Sequence, residues 1–312
     1  MTSQKSTNGR SPMPDPRVKT AFGLLERFAP AVGAAWAERL WFTLPDVPER
    51  ARRVRVELPP GEEFEVQHQG HTIRGTVWGS GPVVYLVHGW GGWGMQLAAY
   101  APPLVAAGYR VVLYDALSHG GSDAGHSGPR STDLPEMADA LHAVARRFGT
   151  PYAVIAHSFG APVTAWAMRG GLEPGRLVFV AAANSFGPYI DMFGSTLGFG
   201  PRTRRRLLRR FVRRVGVPIE TFDVDGIGAD LLYERGTLPP LLAIHDRDDA
   251  DTPFEGSVKI TDGWPDGTVL ATEGLGHRQP LWHPDLVAAA TRFVTTGDSA
   301  AVVNAASARM AG

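Results

Sequence analysis

Five short runs that are apolar at every position or nearly so constrain this chain more than any other feature. PVVYLVH (82–88), RVVLY (110–114), YAVIA (152–156), RLVFVA (176–181) and LLAI (241–244) have strand length and no polar face. A strand that is apolar on both sides must be covered on both sides, as in a parallel sheet between two helical layers. Helix-length stretches at 95–107, 133–148 and 161–170 separate the first four runs, and Asp133 with Glu136 makes a capping-box-like start to the second. Strand-like segments at 53–58, 63–67 and 72–78 come first, the last two joined by a tight turn at Gln69-Gly70. The expected fold class is α/β: a doubly wound, mostly parallel sheet with an antiparallel edge.

Residues 1–17 are polar, lack the apolar core of a signal peptide, and are expected to be a disordered tail. Residues 18–50 form an N-terminal helical appendage, with its helical pattern (18–42) broken at Pro30. Residues 51–183 and 239–296 make the core, and 297–312 a flexible tail. The interruption at 184–238 is read as a cap, because ligands of such sheets bind outside the carboxyl ends of the strands. Within it, PRTRRRLLRRFVRRV (201–215) carries eight arginines and an apolar stripe of Leu207, Leu208, Phe211, Val212 and Val215. Its arginines are expected to be solvated or paired with Glu220, Asp223, Asp225, Asp230 and Glu234. With 31 basic and 31 acidic residues, no global field draws the chain to nucleic acid. No stretch of about eighteen uncharged apolar residues is present to span a membrane. The absence of cysteine excludes disulfides, thiolate metal sites and a cysteine nucleophile. A soluble, cytoplasmic protein is expected, of unspecified oligomeric state.

The sharpest chemical signal is Ala156-His157-Ser158-Phe159-Gly160, between an apolar strand and a helix. A serine at such a corner sits on a strained turn that exposes its hydroxyl and aims the next helix N-terminus at the reacting centre. Serine is a weak nucleophile without a base. His277, in Gly274-Leu275-Gly276-His277, is the best-placed of ten histidines, following a strand-like stretch and preceding a helix. His157 neighbours the serine, but adjacent residues in a tight turn point apart, so it is read as structural. The base needs an acceptor to fix its tautomer. The loop after 241–244 offers Asp246, Asp248, Asp249 and Asp251; placement, four residues before Pro253, favours Asp249 and leaves the others as solvated loop carboxylates.

Taken together, 84–92, 115–122, 156–160, 249–253 and 274–277 resemble the α/β-hydrolase superfamily, over about residues 53–293. The chain departs from the superfamily's motifs at Ala156, Ser118 and Asp246, each where glycine is common. The resemblance implies a serine hydrolase of esterase type with Ser158 as nucleophile, Asp249 as acid from a D-x-x-[VT]-P loop, and His277 as base. It also implies an oxyanion hole from the backbone N–H groups of Trp90 and Phe159. Trp93, Phe186, Tyr189, Met192 and Phe193 are candidates for the substrate pocket. The expected reaction is hydrolysis of a small-molecule carboxylic ester, with no metal or organic cofactor implied. A thioesterase, lactonase, amidase or cofactor-free perhydrolase would use the same triad. A non-catalytic ligand-binding member of the fold is the alternative of another class.

Overall fold

The computed structural model describes residues 15–47 and 56–310. Its sheet begins with a hairpin, β1 (Glu62–His68) and β2 (His71–Trp78), antiparallel across Gln69-Gly70. Both turn residues have positive φ, 50° and 83°, as a two-residue hairpin loop matched to strand twist requires. Of the strand expected at 53–58, residues 53–55 lie outside the described residues and 56–58 form no strand. The apolar runs supply β3 (Val83–Val87), β4 (Arg110–Tyr114), β5 (Ala153–His157), β6 (Leu177–Val180) and β7 (Leu241–Asp246); β8 is Gly267–Thr272. The order is β1-β2-β4-β3-β5-β6-β7-β8, antiparallel through β2–β4 and parallel from β4 to β8. Every residue of β3, β5, β6 and β7 is buried, which is why these strands carry no polar face.

The α-helices in chain order are α1 (Pro16–Phe28), α2 (Pro30–Trp41), α3 (Ala101–Ala106), α4 (Leu134–Phe148), α5 (Gly160–Arg169) and α6 (Phe186–Leu197). They continue with α7 (Pro201–Val215), α8 (Val224–Arg235), α9 (Phe254–Asp262), α10 (Pro284–Thr296) and α11 (Ser299–Met310). The helix expected at 95–107 is a 3-10 turn, Gly94–Tyr100, leading into the short α3. The chain divides into two compact units. One joins the N-terminal helices, through Trp41, to 186–219; the other holds Phe42–Ser185 and the chain from Glu220 onward, with the whole sheet. Helix α8 belongs with the sheet: Asp230 pairs with Arg169 of α5 at 2.9 Å, and Asp225 with Lys259 of α9 at 2.9 Å.

In the smaller unit the pattern breaks at Ala29, and Pro30 opens α2, where its missing N–H costs nothing. Phe22 is fully buried and stacks on Trp36 with ring centroids 4.5 Å apart. Helix α7 buries Thr203, Leu207 and Phe211, facing the small residues Gly33, Ala34 and Ala37 of α2. The stripe is therefore turned from the expected one: Leu208 and Val215 are only partly buried and Val212 is exposed. Arg205, Arg209 and Arg213 are exposed, but three other arginines have partners outside the expected acids. Arg204 pairs with Asp191 at 2.6 Å, Arg210 with Glu38, and Arg202 donates to the Arg27 carbonyl at 2.9 Å. Glu26 of α1 caps α7, its two carboxylate oxygens each accepting at 2.9 Å from the amides of Arg202 and Thr203. Burial pushes the Glu26 carboxyl up, but the polar groups of Thr203, Arg202 and Gly200 around it hold it below the usual range.

The expected flexible tail is corrected at its described part. Residues 299–310 form α11, with Val302 and Ala306 buried and Ser299 hydrogen-bonded to Thr268 of β8 at 2.8 Å. No helix among the described residues is long and apolar enough to cross a membrane.

Candidate active site

Strand β5 ends at His157 and α5 begins at Gly160, so Ser158 and Phe159 make the whole connection. Ser158 has φ +54°, a left-handed conformation that costs a non-glycine residue free energy and is held by its surroundings. The Ser158 amide donates to the Val180 carbonyl at 2.9 Å, and its own carbonyl accepts from Ala161 and Ala183. The turn also needs space beside it. A Cβ on Gly160 would lie 2.6 Å from the Val87 carbonyl oxygen, and one on Gly89 would lie 2.9 Å from Ser158 Cβ. Ala156, where the motif's first glycine is common, lies within β5 paired with Val87 and Phe179, and ordinary strand backbone needs no glycine there.

Across the carboxyl ends of the strands, His277 Nε2 stands 3.1 Å from Ser158 Oγ, and Nδ1 2.8 Å from Asp249 Oδ2. The carboxylate can only accept, so Nδ1 carries the proton and Nε2 accepts from the serine hydroxyl. Asp249 Oδ1 is held by the amides of Asp251 and Thr252 at 2.8 and 2.9 Å, and Oδ2 accepts from Thr252 Oγ1 at 2.7 Å. Burial pushes the Asp249 carboxyl up, but hydrogen bonds from His245, His277 and the Thr252 amide outweigh it and hold the group far below the usual range.

Of the carboxylates expected to be solvated, Asp248 and Asp251 are exposed and Asp246 is not. Asp246 is fully buried and accepts from Thr272 Oγ1 at 2.7 Å and the Leu275 amide at 2.9 Å. Asp248 accepts from the Gly274 amide at 3.0 Å. Both therefore tie the acid loop to the turn that presents His277. Histidine 157 does the same from the other side, with Nε2 3.1 Å from the His277 carbonyl oxygen. Burial, and then the neighbouring His277, push its pKa well below the usual imidazole value, so it is a neutral donor.

Trp90 follows β3 in the loop that packs on the serine corner, and its ring meets that of Phe159 edge-on at 5.2 Å. His88 and His119 brace this loop. His88 Nε2 accepts from the Ala116 amide at 3.0 Å with Nδ1 on the Gly89 carbonyl; His119 Nε2 accepts from the Gly91 amide at 3.2 Å. Asp115 accepts from Gly94 and Gly121 amides, each at 2.7 Å. Ser118 takes φ +64° where the motif favours glycine, and its hydroxyl ties Gly125 and Gly128 in compensation.

Of the pocket candidates, Trp93 lies in the larger unit, partly buried, its amide 3.3 Å from Gln96 Oε1. The others lie in the smaller unit. Phe186 is buried, Tyr189 is partly buried, Met192 is exposed, and Phe193 packs edge-on against Trp41 at 5.2 Å. No group of three or more His, Asp or Glu side chains among the described residues is placed to hold a metal ion.

The residues missed from sequence are His245 and Thr252. Thr252 Oγ1 lies within 3.1 Å of His277 Nδ1, and His245 Nε2 3.3 Å from Asp249 Oδ2. In sequence His245 stands four residues before Asp249, but nothing in that spacing says that the two side chains meet.

A serine on a strained strand-to-helix corner, an imidazole and a carboxylate in hydrogen-bonded sequence, and this strand order define an α/β-hydrolase architecture. The chain belongs to the alpha/beta hydrolase family, whose profile matches residues 84–290. Solved structures similar to it include an esterase from Exiguobacterium antarcticum, 16% identical, covering 74% of this chain and 99% of that one at a TM-score of 0.57. A structure of Est1E from Butyrivibrio proteoclasticus with bound ferulic acid is 17% identical, with coverage of 74% and 96% and a TM-score of 0.57. A bromoperoxidase from Bacillus anthracis is 18% identical, with coverage of 75% and 99% and a TM-score of 0.57. At these identities the likeness is one of fold. No curated protein sequence matches the chain.

Proposed function

We propose that this protein hydrolyses carboxylic esters through an acyl-Ser158 intermediate. The observation that carries the reading is the unbroken hydrogen-bonded line from Ser158 Oγ through His277 to Asp249, at 3.1 and 2.8 Å. In this scheme His277 Nε2 takes the serine proton as Oγ attacks the ester carbonyl. It then returns that proton to the departing alcohol and activates the water that releases the acid. Asp249 stays ionised, holds the proton on Nδ1 and stabilises the imidazolium. The amides of Trp90 and Phe159 are assigned to the developing oxyanion. The close approach of Gly89 to the Ser158 corner brings their two loops together.

Support for an ester substrate also comes from the esterase among the similar folds, at the level of analogy. The test is a panel of chromogenic esters graded in acyl length, with thioesters and lactones beside them, run on the full chain and on Ser158→Ala. Turnover of esters that Ser158→Ala abolishes is the expected result. Turnover confined to thioesters or lactones, or retained in the variant, would contradict it.

A further inference from the structure

Asp249 lies between two imidazoles, and only one of them belongs to the triad. On its far side His245, the fifth residue of β7, is fully buried. Its Nε2 lies 3.3 Å from Asp249 Oδ2 and 3.1 Å from the Thr252 carbonyl oxygen. Its Nδ1 lies 2.7 Å from Ser257 Oγ of α9. These partners fix the tautomer. A carbonyl and a carboxylate can only accept, so Nε2 carries the proton; Nδ1 is then the acceptor of the Ser257 hydroxyl. Phe254 closes the site edge-on, its ring centroid 5.8 Å from that of His245. The result is a relay of one sense, from the Ser257 hydroxyl to His245 to Asp249, meeting the triad from behind.

We propose that His245 is a positioning residue for the triad: its Nε2–H, oriented by Ser257, holds the Asp249 carboxylate in the rotation that His277 needs. The proposal rests on the triad reading above. Asp249 Oδ2 accepts from His277 and Thr252 and has His245 Nε2 at 3.3 Å, its N–H shared with the Thr252 carbonyl, while Oδ1 is pinned by two backbone amides. With both oxygens saturated, the carboxylate has one orientation, and Oδ2 remains aimed at His277 Nδ1. Without His245, Oδ2 loses its buried donor on the side away from the reaction. The amides on Oδ1 and the Thr252 hydroxyl still hold the carboxylate, but less tightly, and its angle to His277 Nδ1 varies more. The effect belongs to kcat, since neither His245 nor Ser257 is placed at Ser158.

The experiment compares His245→Leu, His245→Gln and Ser257→Ala in the full chain, using the best ester of the panel and the rate of fluorophosphonate labelling. His245→Leu should lower kcat and the labelling rate about tenfold, the order of one hydrogen bond to a charged group, with KM unchanged. Gln, which keeps an N–H donor at similar reach, should recover much of that loss; a space-filling role would favour Leu instead. Ser257→Ala should cost about threefold alone and add little to His245→Leu, since both act through one bond. Wild-type kcat in a folded His245→Leu, or Gln no better than Leu, would overturn the proposal. Should the leucine variant not fold, wild-type kcat in Ser257→Ala would overturn it. Ser158→Ala separates the two claims. If that variant keeps turnover, the triad reading fails; if it is dead while the His245 variants are fully active, only this inference fails.

Discussion

Asp246 stands where the superfamily's acid loop commonly has glycine, and its surroundings explain how a carboxylate is tolerated there. It is completely buried, yet it accepts from the amides of Asp248 and Leu275 and the hydroxyl of Thr272, so its charge is well provided with donors. The neighbouring aspartates therefore separate by role: Asp249 faces His277, whereas Asp246 and Asp248 fasten the loop that carries it. Asp249→Asn should lower kcat by about four orders of magnitude with the fold intact, because a neutral amide favours the wrong imidazole tautomer. Asp246→Asn should instead lower the melting temperature. Its effect on kcat should stay far smaller. Steady-state kinetics and thermal melts on the two variants check this, and inactivation by Asp246→Asn with unchanged stability would reverse the roles. Ser158 and His277 were legible in the sequence because each sits in a short local motif. His245 was not, because its partners Ser257, Thr252 and Asp249 are brought to it only by the turn after β7 and by α9.

At the scale of elements, legibility followed how strongly burial dictates composition. The central strands are buried on both faces and so announce themselves as apolar runs, whereas β8 is partly exposed along most of its length and reads weakly. Helix α7 was legible as a helix but not in its packing. Its eight arginines leave a broad apolar stripe that a sequence pattern centres near Leu208, while the small residues of α2 draw Thr203, Leu207 and Phe211 inward. Acids nearby in sequence suggest partners for Arg210, but Glu38 lies 172 residues away. Such long-range pairing leaves no periodic trace. Helix α11 was missed because alanine, serine and asparagine dominate it, so its inward positions Val302 and Ala306 barely differ from the outward ones.

For the larger unit as a whole, three buried histidines contribute to the response to acid. Burial pushes His88 down, burial and the nearby His88 push His119 down to about 3, and burial with His277 alongside pushes His157 well down. In the unfolded chain each returns to about 6.5, so between that value and the folded one the unfolded state binds more protons. Stability is thus fully present well above pH 6.5 and falls as the pH drops below it, each histidine adding to the loss. Hydrogen exchange of the central-strand amides, compared between pH 7.5 and 5.5 after correction for intrinsic rates, should show this loss. An unchanged opening free energy would contradict it. The central claim, that Ser158 is a nucleophile activated by His277, is tested most directly by fluorophosphonate labelling with the adduct mapped by mass spectrometry. One adduct is predicted, on Ser158, absent from Ser158→Ala and strongly slowed in His277→Ala. An adduct on any other residue, or undiminished labelling in His277→Ala, would contradict the account.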